Sequence, residues 1–145
     1  MNKKKVYNDV LLHTVTKVAI IIILTYSLYM FFGGHHHPGG GFVGGLGIAS
    51  GLVLLLLSFG TDVFHENVPF DYLRLSACGV LVAIGVGFVS ILIGQPFLTQ
   101  GFGHFNIPII GETELASALI FDLGVAMAVI GTTMTIITTI SEDDV

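Results

Sequence analysis

The residues of this chain that could do chemistry are few, and they fall in three places. Three consecutive histidines, His35, His36 and His37, precede Pro38 and the glycines Gly39, Gly40 and Gly41. Histidine titrates near neutral pH, so proton handling and plain solvation in a loop are both open. Sequence neighbours cannot all face one ion in a regular element, and zinc sites space their ligands, which argues against a metal. The stretch Gly39-Gly40-Gly41-Phe42-Val43-Gly44 also spells the G-x-G-x-x-G of dinucleotide-binding loops, with Asp62 beyond it. That fingerprint needs a strand before it, and here a long apolar run stands there instead, so no nucleotide cofactor is expected.

The second place is Asp122, the one carboxylate inside a long apolar run. A carboxylate at the centre of a membrane helix costs about 2.5 to 3.5 kcal/mol on insertion scales, which makes it a candidate functional residue. It stands about two turns from the expected start of its helix, where the helix dipole favours an anion. An ion relay and a structural hydrogen bond to a neighbouring subunit both fit. The third place is the segment 94–114, where Gln95, Pro96, Phe97, His104, Phe105, Asn106 and Pro108 mix with aliphatic residues. Such a mixture suits a lid resting on the bundle or the lining of a gate. No nucleophile and base pair can be named, so an enzyme is not expected.

The elements that must carry these residues follow from composition. Of 145 residues 53% are hydrophobic and only 10% charged, too few charges to coat a soluble domain. There is no basic stripe for nucleic acid. The single cysteine, Cys78, has no partner for an intrachain disulfide. The lysines before the first apolar run resemble a secretory leader, but the run ends in Phe31-Phe32-Gly33-Gly34 without a small-residue cleavage pattern, so a retained helix is expected.

A helix needs about 20 mostly apolar residues to cross the hydrocarbon core. Four segments meet this, at about 14–32, 42–59, 73–93 and 115–140, within a single membrane domain spanning 1–145. The expected fold is therefore an all-α integral membrane bundle of four transmembrane helices. Every Lys and Arg lies at the amino end (Lys3, Lys4, Lys5, Lys17) or between the second and third spans (Arg74), which predicts that both termini are cytoplasmic. Small residues recur at helical spacing along three spans: Gly47 and Gly51 in the second; Ser76, Gly79, Ala83, Gly87, Ser90 and Gly94 in the third; Gly124, Ala128, Thr132 and Thr135 in the fourth. Such stripes let another backbone approach closely. Three of them exceed the evident needs of four helices, so some are expected to meet other subunits.

At these residues a family can be named. The stretch from His36 to Gly45 resembles the signature of the MnhB/MrpB family, and Gly94-Gln95-Pro96-Phe97-Leu98-Thr99 and Phe121-Asp122-Leu123-Gly124-Val125 are similar too. The resemblance covers nearly the whole chain. It implies the MnhB-type subunit of the Mrp-type multisubunit sodium/proton antiporter, a bacterial plasma-membrane complex in which larger subunits supply the buried proton relays. The implied partners are those other membrane subunits, the lipid bilayer, and Na+ and H+ as ions of the complex, with no cofactor. His36, His37, Pro38, Phe42 and Asp122 are the candidates for an ion path or a structural role. A related small subunit of a membrane-bound hydrogenase complex and a small homo-oligomeric channel remain the alternatives.

Overall fold

The computed structural model describes residues 3–33, 39–92 and 113–143. Five helices follow in chain order: α1 (Lys3–Gly33), α2 (Gly41–Phe59), α3 (Thr61–Asn67), α4 (Tyr72–Leu92) and α5 (Thr113–Asp143), with no strand among the described residues. Four of them, all but α3, are long and apolar enough to cross a membrane. The expected spans lie inside these helices to within a residue or two, but α1 begins well before its expected start and α5 runs two or three residues past its expected ends. Each has 31 residues, or roughly 46 Å at 1.5 Å per residue, against a hydrocarbon core of roughly 30 Å. Hydropathy marks only the part of a helix that must avoid water, so the polar extensions escaped it.

The helices stand in an open row whose order differs from chain order. Extended contacts join α1 to α2, α2 to α5 and α5 to α4. The share of each span buried within the chain follows this order, 17% for the edge helices α1 and α4 against 28% and 22% for α2 and α5. The rest of each span is half-buried or exposed on the surface of the chain.

Glycine makes each of the three seams. Between α1 and α2, a methyl group on Gly44 would stand 2.7 Å from Cβ of Phe31, one on Gly47 would meet the side chain of Ser27, and Gly51 lies under Leu24 and Ile23. Between α2 and α5, a methyl on Gly45 would stand 3.0 Å from Cα of Ala126. Between α4 and α5 the approach is backbone on backbone along three turns: Gly79 meets the backbone of Gly124, Met127 and Ala128, Gly124 meets that of Gly79 and Ala83, and Gly131 meets that of Tyr72 and Ser76. The hydroxyls of Ser76 and Thr132 close this seam with a 2.7 Å hydrogen bond. Gly47 and Gly51 thus meet α1, and Gly79 and Ala83 meet Gly124 of α5, within the chain itself. Sequence spacing shows that a close neighbour exists without showing which helix supplies it. Gly87 is buried on the same α4 face.

The short helix α3 was not anticipated, since seven residues are too few for a periodic signal. It tucks Phe64 under the end of the row, where Phe64, Leu56 of α2, Tyr72 of α4 and Met134 of α5 form the buried core. Phe64 and Tyr72 stack at 6.2 Å between ring centres.

Candidate functional site

The glycine-rich entrance to α2 is built by a backbone that only glycine adopts readily. Gly40 has φ 90° and ψ −168°, a region essentially closed to residues with a Cβ. Its amide donates to the carbonyl of Met30 in α1 at 3.0 Å, and its carbonyl accepts from Gly44 at 2.9 Å, so one residue ties the end of α1 to the first turn of α2. A Gly at the N-cap supplies no side-chain cap, and the first turn of α2 contains no acid.

Asp122 of α5 comes to this same place. A methyl built on Gly40 would stand 3.2 Å from its Oδ2 and 3.7 Å from its Cγ, while Gly41 is pressed against the Asp122 backbone. The structure thus joins Asp122 to the glycines that follow Pro38, two features separated by some eighty positions in the sequence. Asp122 is partly buried. Phe42 is not part of this junction's buried side, being 57% exposed. His36, His37 and Pro38 lie outside the described residues, as does nearly all of the 94–114 segment. Among the described residues no group of three or more His, Cys, Asp or Glu could hold a metal ion.

A second polar junction stands at the opposite end of α2. His13 of α1 stacks on Phe59 with ring centres 4.5 Å apart and 11° between planes. Its Nε2 lies 3.0 Å from the carbonyl oxygen of Ser58, and since a carbonyl can only accept, the tautomer in this contact carries its proton on Nε2. One of the carbonyls left unpaired at the end of α2 is satisfied in this way. Sequence reasoning passed over His13. The only available signal was a lone polar aromatic at the edge of the first apolar run, where the chain has yet to reveal that α2 ends opposite it.

Residues 11–135 match the model of a domain related to the MnhB subunit of Na+/H+ antiporter. The chain belongs to the MnhB family. It is 54% identical over 137 residues to the B-type subunit of the Na(+)/H(+) antiporter of Alkalihalophilus pseudofirmus, covering 94% of this chain and 95% of that one. With the corresponding B-type subunit of the Bacillus subtilis Na(+)/H(+) antiporter it shares 49% identity over 144 residues, covering 99% and 100%. Among solved structures, the Mrp complex from a Dietzia species contains a chain that matches with TM-score 0.73 and 28% identity over 92% of this chain. That match covers 14% of the Dietzia chain, so there the MnhB fold is one part of a much longer polypeptide. Phe42, Gly79, Ala83, Gly87, Gly124 and Asp122 all lie within the residues matched by the family model.

Proposed function

We propose that this chain is an accessory membrane subunit of a multisubunit monovalent cation/proton antiporter in the bacterial plasma membrane. It is needed for assembly and shapes part of the ion path where Asp122 meets the glycines of α2. The near end-to-end identity to two proteins named as B-type subunits of Na(+)/H(+) antiporters carries this reading. The row architecture supports it: a layer with little of each span buried has broad faces for other membrane subunits. Na+ and H+ are the ions exchanged by the complex, and lipid covers whatever its subunits leave bare. The whole chain works as one membrane unit.

The test is to delete the gene and follow sodium-dependent collapse of a pH gradient in everted vesicles, with the assembled complex quantified on native gels. Loss of exchange together with loss of the complex, both restored by the chain supplied in trans, is expected. Undiminished exchange from an intact complex would overturn the reading.

Orientation has its own expectation. Lys17 is exposed in the first half of α1, and Arg74, near the start of α4, pairs with Asp71 at 2.8 Å. By the positive-inside rule the side of the membrane nearest these basic residues is cytoplasmic and both termini lie there. In a Cys78→Ser background, His36→Cys should react with an impermeant thiol reagent from outside and Lys3→Cys should be protected. The inverse labelling would reject this topology.

A further inference from the structure

We propose that Asp122 is the counter-charge of the α2 N-terminus, supplied from α5, and that it acts as a positioning residue which seats α2 on α5. Its effect on exchange is exerted through α2 and not as a ligand of the transported ion. The proposal deepens the functional reading of the same junction and rests on it only for the transport readout.

Three observations lead there. The first turn of α2 is without local compensation, because its N-cap is Gly40, no side chain caps it and it contains no acid. Helix starts leave amide groups unpaired and carry about half a positive charge, and that charge weighs more in a medium of low dielectric constant. The described carboxylate that sits within a span stands at this spot, with Oδ2 3.2 Å from the position of a Gly40 methyl. No hydrogen bond joins Asp122 to the described residues around it, so the coupling is between charge and dipole. The glycines then have a shared purpose. With no side chain at Gly40 or Gly41, nothing separates the carboxylate from the helix end, and Gly45 one turn on lets Ala126 close behind it. An anion inside the membrane is thereby offset without a lysine or arginine beside it.

This assignment separates from an ion-ligand role by second-site rescue. If Asp122 serves the helix end, an acid placed in the first turn of α2 itself replaces it, whereas a ligand of the transported ion cannot be moved to another helix. Val43 is 40% exposed at the third position of α2, where acids suit helix starts. The experiment measures hydrogen exchange of the amides of residues 41–44 in the purified complex, alongside the sodium concentration for half-maximal exchange in vesicles. Asp122→Asn should speed amide exchange about 2- to 30-fold, the range that a helix-end charge contributes. Sodium half-activity should stay unchanged while the maximal rate falls, and Asp122→Asn with Val43→Asp should restore both amide protection and rate. If Asp122→Asn alone fails to assemble, recovery of the complex in the double variant supports the proposal and its continued failure overturns it. Unaltered amide exchange in Asp122→Asn, or a raised sodium requirement that Val43→Asp leaves in place, also overturns it. The amide readout needs no transport, so a wrong assignment of the complex's activity would show separately.

Discussion

Gly131→Ala is expected to break the α4–α5 seam and with it the assembled complex. The added methyl would stand 2.6 Å from the Tyr72 carbonyl oxygen and 2.8 Å from Cα of Ser76, and would also meet the Ser76 amide. All three are backbone atoms, so no rotamer change relieves the overlap and the helices must part. Overpacking of this kind costs about 1 to 3 kcal/mol. Separation also stretches the hydrogen bond between Ser76 and Thr132, 2.7 Å long, worth up to about 1.7 kcal/mol between membrane helices. The combined loss of about 1 to 5 kcal/mol should appear as a lowered melting temperature and depleted complex on native gels. Gly79→Ala should behave alike, because its methyl would stand 2.6 Å from the Gly124 carbonyl oxygen. Gly85→Ala on the same helix is the control: nothing lies within 4 Å of its methyl, so assembly should be unaffected or slightly improved. Wild-type melting in Gly131→Ala would mean that this seam does not exist in the membrane.

Gly41→Ala should act differently, lowering exchange per assembled complex more than it lowers the amount of complex. Its methyl would overlap the Asp122 carbonyl group, 2.7 Å from the carbon, and stand 2.8 Å from Asp122 Cα. Gly41 carries an ordinary negative φ, so the effect is steric alone. The α1–α2 seam at Gly44 and Gly47 and the α2–α5 contact of Gly45 with Ala126 stay in place and keep the subunit folded. What shifts, by an amount on the order of 1 Å, is the first turn of α2 relative to α5, and misplacement of that size can cost about 100-fold in rate where groups must be aligned. Vesicle exchange normalised to complex on native gels is the measurement. Equal losses of exchange and complex would reduce Gly41 to a packing residue.

The sequence announces the spans because each one carries its own signal: a bilayer demands an unbroken apolar length whatever the neighbours are. Asp122 announces itself for the same reason, as a charge where charge is costly. The glycine stripes are legible as places of close approach, but their pairing is not. Gly79 and Gly131 say only that some backbone lies near, and nothing in residues 113–143 says that α5 inserts between α2 and α4. His13 and α3 are the other features hidden from the sequence. The first depends on where α2 ends in space, and the second is held by one buried side chain, Phe64. The meeting of Asp122 with Gly40 depends on the same insertion of α5, and therefore could be found only once the helices were in place.

That insertion also bears on how the protein is made. Ribosomes deliver the helices in the order α1 to α5, yet the last to emerge belongs in the interior of the row. Helices α1 and α2 can pair as soon as both have left the translocon. Helix α4 has no neighbour to receive Gly79 until α5 arrives, and the entrance of α2 has no anion until Asp122 arrives with it. Until α5 has been inserted, the glycine faces of α4 and of the start of α2 lack the backbone that fills them, so these two parts of the fold are completed together.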